Sequence, residues 1–190
     1  MTRVGRAFVA VVPPPAVLDA IAERVRAVSG DGPALRWMAR AQWHLTMQFL
    51  GRVDDLDVVV DAATRAAASV GAFEMQLAGS GAFPSARRAA VLWLGVGTGT
   101  DALGALARGV AEAFAPLGYP PEDRPFHPHL TVARASRPRR ADHVIAAIGG
   151  GSGDVVIGPA WQVRDVVLYE SRTRPEGAEY GELARLPFGG

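Results

Sequence analysis

The chain has 190 residues, 49% apolar and 21% charged, with 20 basic against 19 acidic side chains and a net charge of +1. That balance suits one folded domain or two small fused lobes, and argues against a disordered chain or a general duplex-binding protein. Cysteine is absent and every basic residue is arginine, which excludes disulfides, thiolate metal sites, thiol catalysis, a Walker phosphate loop and a catalytic lysine.

In chain order, residues 6–12 are rich in Val and Phe and predict a buried strand, stopped by Pro13, Pro14 and Pro15. This apolar run is too short for a secretory signal or a bilayer span, so the expected setting is the cytoplasm, without membrane attachment. Residues 16–28 predict a helix with Val17, Leu18, Ile21 and Val25 on one face, and 29–33 a Gly- and Pro-containing loop. Residues 43–50 predict a strand, and 54–70 a helix stopped by Gly71. Strands are expected at 73–77 and 89–96, with a loop holding Gly79, Gly81 and Pro84 between them. The glycines at 95, 97 and 99 read as a plain loop before a helix at 101–114 capped by Thr100. A strand at 128–134, a short helix at 140–148, strands at 155–157 and 162–170, and a further strand in the tail at 179–186 complete the series.

One order of elements occurs twice: a His-Leu-Thr strand, a helix starting about 11 positions after the histidine, then two strands. Residues 101–114 read as the helix that links the two copies. The predicted fold is α+β and duplicated, a single bilobal domain over 1–190. Two antiparallel sheets face a central cleft, with helices outside and one His-x-Thr strand per lobe.

The four histidines are His44, His127, His129 and His143, and two of them open the same tripeptide, His44-Leu45-Thr46 and His129-Leu130-Thr131. Side chains two apart on a strand share a face. Each strand therefore presents His and Thr together, while Leu45 and Leu130 point into the apolar layer behind. Across a cleft, two imidazoles and two hydroxyls converge. One neutral and one protonated imidazole supply a general base and a general acid together, and threonine hydroxyls donate to the non-bridging oxygens of a phosphate. In-line displacement at phosphorus needs this set, and a strained cyclic ester needs no metal to leave.

The segments His44-Leu45-Thr46-Met47-Gln48-Phe49-Leu50-Gly51 and Phe126-His127-Pro128-His129-Leu130-Thr131-Val132-Ala133-Arg134 closely resemble the two-histidine phosphoesterases. Within them they resemble the RNA 2',3'-cyclic phosphodiesterases, also called 2'-5' RNA ligases. The resemblance extends to Val91-Leu92-Trp93-Leu94-Gly95 and Leu168-Tyr169-Glu170-Ser171. It implies that His44 is the proton donor and His129 the proton acceptor, that Thr46, Thr131 and Arg134 hold the phosphate, and that the terminal base stacks on Phe49. The implied activity is metal- and cofactor-independent hydrolysis of RNA 2',3'-cyclic phosphate ends to 2'-phosphates, with weak reverse 2'-5' ligation. The partner is an RNA end, and a monomer is expected. Phe49 and Arg134 each follow their histidine by five positions, which on an ideal strand is the opposite face. They reach the cleft only if the strand bends, bulges or ends first, and Gly51 and the run 136–138 offer such places.

Other readings remain open at this level. A non-catalytic RNA-end binding module would not need two proton-transfer groups; another cyclic phosphate or a 2'-5' linked oligonucleotide is a further substrate option. His127, His129 and His44 could chelate a metal, although neither motif contains a carboxylate. His127 is otherwise a supporting or exposed residue, and His143 lies on the surface of a helix. Ser85 fits no nucleophile pattern. Phe83-Pro84 with Arg87 and Arg88 reads either as a cleft rim for RNA or as a hairpin end, and Arg137, Arg139 and Arg140 as a solvated face.

Overall fold

A computed structural model describes residues 2–30, 35–151, 153, 155–174 and 177–189. The elements are β1 (Val4–Val11), α1 (Pro15–Val28), β2 (Leu35–Trp37), β3 (Leu45–Val53), α2 (Leu56–Ala68), β4 (Phe73–Phe83), β5 (Ala89–Thr98), α3 (Thr100–Phe114), β6 (Leu130–Arg139), α4 (Asp142–Gly149), β7 (Val156–Val163), β8 (Asp165–Arg174) and β9 (Gly177–Pro187). Pro15 opens α1 at the position where a missing N–H costs nothing, and Val17, Ile21, Val25 and Val28 bury its apolar face. The Asp55 side chain caps α2 by accepting from the Asp57 N–H at 3.2 Å. That helix ends at Ala68, before Gly71.

Several boundaries differ from the sequence reading. The three residues of β2 carry no alternation long enough to read. Part of the loop expected at 29–33 lies outside the described residues. The glycine-rich stretches expected as loops are strand: β4 runs on through Gly79 and Gly81, and β5 includes Gly95 to Thr98. Glycine is required here by close approach, since a Cβ at Gly95 would lie 2.7 Å from the Ala78 carbonyl oxygen. Thr100 is the first residue of α3 and not its cap: Gly99 takes the cap position, and the Thr100 hydroxyl donates back to the Val96 carbonyl at 3.3 Å.

The strands form one curled antiparallel sheet in the order β7-β4-β5-β6-β3-β1-β8-β9, with β2 paired to β6. The two expected sheets are its two halves. They meet at a single residue pair, Leu45 opposite Leu130, between β3 and β6. The sheet order is symmetric when β1 exchanges with β5, β3 with β6 and β4 with β8. The duplicated unit is therefore β-α-β-α-β, β1-α1-β3-α2-β4 in the first copy and β5-α3-β6-α4-β8 in the second, with β2 inserted before β3 and β7 before β8. The helix read as a linker, α3, is the counterpart of α1. The last strand of each unit crosses to the other half, so the units clasp each other.

Helices cover one face of the sheet. Leu45, Leu130, Leu92 and Leu94 from the strands join Val17, Leu103, Leu106 and Ile148 from the helices in one buried cluster. The other face holds the histidines. Leu45 and Leu130 are both fully buried at the one residue pair that joins β3 to β6. Leu130→Ala or Leu45→Ala is expected to lower stability by about 2–5 kcal/mol, as for other buried leucines, read from the denaturant midpoint. A loss well under about 1 kcal/mol would show that this junction does not hold the halves together.

Candidate active site

Each histidine sits immediately before its strand, one position ahead of the paired leucines. Antiparallel pairing of Leu45 with Leu130 sets His44 beside Thr131, and Thr46 beside His129. The four side chains form a two-by-two array on the face opposite the buried leucines. Directly opposed positions lie about 4.5–5.5 Å apart and diagonal ones about 7–8 Å. The imidazoles occupy a diagonal of the array, and a tetrahedral phosphate fits between them.

Both rings are held the same way. His44 Nδ1–H donates to the Gln42 carbonyl at 2.8 Å, and His129 Nδ1–H to the His127 carbonyl at 2.8 Å. That bond sets the tautomer and leaves each Nε2 as the acceptor. His44 Nε2 lies 3.1 Å from the Thr46 hydroxyl, which donates to it. Gln42 is itself pinned: its side-chain oxygen accepts from the Ala39 N–H at 2.9 Å, and its amide nitrogen donates to the Ala178 carbonyl on β9.

The parity problem at Phe49 and Arg134 is resolved by two bulges at equivalent positions. Along β1 and β3 the register passes from Ala10–Thr46 to Val9–Gln48, so β3 carries one extra residue. Along β5 and β6 it passes from Trp93–Thr131 to Leu92–Ala133, again with one extra residue on the histidine strand. Each bulge turns the following residues over. Thr46 and Phe49 then share a face, as do Thr131 and Arg134, and the burial alternation agrees: Met47 and Gln48 are buried while Phe49 is 57% exposed. Phe49 is thus a surface ring and not part of the core. Gly51 and the run 136–138, where the sequence offered a bend, lie beyond the turnover.

Aromatic rings back the His44 side. Phe8, itself buried, stands 4.8 Å from His44, 5.8 Å from Phe49 and 5.0 Å from Tyr180, and Tyr180 meets His44 edge-on at 5.2 Å. On the other side Phe83 meets His129 edge-on at 5.0 Å. Packing against these rings strips water from His44, and burial, with help from repulsion by Arg134 and by His129 when that ring is protonated, lowers its pKa to about 4 against the raising effect of the Gln42 hydrogen bond. His129 is lowered as well, mainly by burial. Both imidazoles are therefore neutral at pH 7 in the free protein. Tyr180 keeps its proton, because burial raises its pKa against the pull of Arg134, Arg36 and Arg6.

Those three arginines form the charged rim of the cleft. Arg36 on β2 lies opposite Arg134 on β6. Among the described residues none of the three is in a salt bridge, whereas Arg3, Arg40, Arg52, Arg140, Arg172, Arg174 and Arg185 each pair with a carboxylate. Unpaired guanidinium groups around neutral imidazoles suit an anionic ligand. Among the described residues no three His, Asp or Glu side chains converge to hold a metal ion. His143 is exposed on α4. Phe8, Tyr180 and Arg36 were missed at the sequence level because each reaches the site through pairing across strands and carries no motif of its own; Gln42 was missed because its role is played by its backbone carbonyl, two residues before His44.

The model of the 2'-5' RNA ligase superfamily matches residues 13–175 of this chain. Relatives named RNA 2',3'-cyclic phosphodiesterase include one from Archaeoglobus fulgidus, 30% identical over 94% of this chain and 97% of its own. Another, from Aeropyrum pernix, is 28% identical over 82% and 88%. A crystal structure of a Thermus thermophilus protein superposes with a TM-score of 0.80 at 26% identity, over 96% of this chain and 97% of that one. Ligand-free Escherichia coli LigT gives 0.73 at 25% identity over the whole of both chains. No helix among the described residues is long and apolar enough to cross a membrane. With the family model covering most of the chain and relatives matching end to end, this protein belongs to the 2'-5' RNA ligase superfamily.

Proposed function

We propose that the protein hydrolyses RNA 2',3'-cyclic phosphate ends to 2'-phosphomonoesters, as a monomeric, single-domain cytoplasmic enzyme over residues 1–190 without metal or cofactor. The observation that carries this reading is the pair of imidazoles at diagonal corners of one array, each fixed through Nδ1 with Nε2 turned to the cleft. Relatives named for this activity support it.

Water attacks phosphorus from the His129 side and gives its proton to His129 Nε2. The P–O3' bond breaks, and His44 Nε2–H delivers a proton to the departing O3', leaving a 2'-phosphate. His44 must first be protonated. Its low pKa in the free protein rises when the cyclic phosphate anion sits beside it, because the negative charge favours the imidazolium. Substrate charge therefore arms the acid, while His129 is already neutral and ready as the base. Thr46 and Thr131 donate to non-bridging oxygens, Arg134 adds positive charge, and the base stacks on the exposed ring of Phe49. The reverse reaction joins the cyclic end to a 5'-hydroxyl through the same groups, weakly, because water competes with a dilute hydroxyl.

RNA ending in a 2',3'-cyclic phosphate, incubated with chelator present, should yield only the 2'-phosphate. His44→Ala and His129→Ala should each reduce turnover by about 10²- to 10⁴-fold with the fold intact. A 3'-phosphate product, near wild-type turnover in either variant, or recovery only on adding a divalent ion sinks the mechanism. The two bulge-projected residues should separate. Arg134→Ala lowers kcat/KM whatever the base, whereas Phe49→Ala loses about 1–3 kcal/mol of binding on purine ends and less on pyrimidines. A thermal melt shifted strongly by Phe49→Ala, with no base dependence, would contradict the stacking role.

A further inference from the structure

On the His129 side a second cavity, about 280 Å³, opens beside the cleft and has no part in the hydrolysis described above. Its lining includes Gly79, Gly95, Trp93, His127 and Pro128, with Gly151 from the segment after α4. Trp93 is paired with Thr131, so its indole stands on the cleft face. Its cross-strand partner on β4 is Gly81, where any Cβ would collide with the indole, so the ring lies against bare backbone. Trp93 stands 4.9 Å from His127 and 5.4 Å from Phe83, and Phe83 in turn touches His129. Aromatic surface thus runs without a break from the proposed general base to the cavity. The buried indole N–H has no hydrogen-bond partner among the described residues.

Water needs no pocket to be held, but a nucleoside does. The group that surrenders its proton to His129 approaches from the His129 side, which is where this cavity lies. We infer that the cavity is the acceptor subsite, which holds the nucleoside whose 5'-hydroxyl replaces water. This rests on the function proposed above. In that step the O5'–P bond forms and P–O3' breaks. The O5' proton passes to His129 and His44 supplies one to O3', giving a 2'-5' diester and a free 3'-hydroxyl with no water consumed. Run backwards, the 3'-hydroxyl attacks the diester, the cyclic phosphate re-forms, and the 5'-hydroxyl nucleoside leaves through the cavity. The glycines that read as a loop and the extra histidine of the second motif thereby acquire a role, as floor and wall for a sugar and a base.

The test compares two substrates, adenylyl-(2'→5')-adenosine and adenosine 2',3'-cyclic phosphate, in wild type, Trp93→Ala and His127→Ala. Each protein is assayed at its own pH optimum, because the His127 imidazole bears on the titration of His129. His127 is exposed and its carbonyl, which holds His129, survives the substitution, so this variant keeps the test open if Trp93→Ala folds poorly. Loss of one stacked base should cut kcat/KM on the dinucleotide by about 5- to 150-fold and leave cyclic phosphate hydrolysis within about twofold. Equal losses on both substrates, unchanged dinucleotide cleavage in both variants, or no dinucleotide cleavage by the wild type would overturn the assignment. Failure of the wild type to open the cyclic phosphate would instead refute the underlying function and remove the subsite with it.

Discussion

The pairing of Leu45 with Leu130 is the constraint on which the site depends. Each unit of the duplication supplies one histidine strand, and these two strands meet at this pair alone. Both leucines are sealed from solvent by the helices behind the sheet. Because strand side chains alternate, burying the leucines forces the flanking His and Thr residues onto the open face. One apolar contact thus fixes the register, and the register fixes which imidazole faces which hydroxyl. A slip of one residue would turn both motifs into the core, where two histidines would meet no partner.

The electrostatics follow from the same packing. Phe8 and Tyr180 dry the His44 ring, and the backbone carbonyls of Gln42 and His127 hold both rings in one tautomer. Two neutral imidazoles and the guanidinium groups of Arg6, Arg36 and Arg134 then share one cleft. Protonating either ring in the empty site is opposed by burial and by Arg134. An incoming anion reverses that balance. The two sides of the cleft differ in burial and in neighbours although the motifs match, and the acid and base roles proposed for His44 and His129 rest on that difference.

The paired His-x-Thr motifs were legible because strand alternation and repetition are both written in local spacing. The halves of the sheet were legible in kind, but not the clasp between them, since strand exchange between repeats leaves no mark in element order. The need for a bend before Phe49 and Arg134 followed from parity; its position did not, because Met47 and Val132 look like ordinary strand residues. Glycines at 79, 81, 95 and 97 misled in the other direction. They read as loop, yet they sit in strands: at Gly81 an indole, at Gly95 a carbonyl oxygen and at Gly97 the Ala78 methyl come too close for a side chain, and Gly79 takes a φ of 71°. Phe8 and Tyr180 were silent because only pairing across β1, β8 and β9 brings them to His44.

The proposed chemistry requires that the imidazole at position 44 is neutral in the empty cleft and becomes an acid only beside a phosphate. Titration of the histidine ring protons by NMR measures this directly, in the free protein and with a saturating nucleoside 2'-phosphate. The His44 signal, identified by its loss in His44→Gln, is expected to titrate near pH 4 in the free protein and to move to clearly higher pH with the nucleotide bound. The direction is set by charge, since an anion stabilises the imidazolium. A His44 signal that titrates at about 6.5, its ordinary value, in the free protein and does not move when the nucleotide binds would rule out substrate charge as the source of the acid.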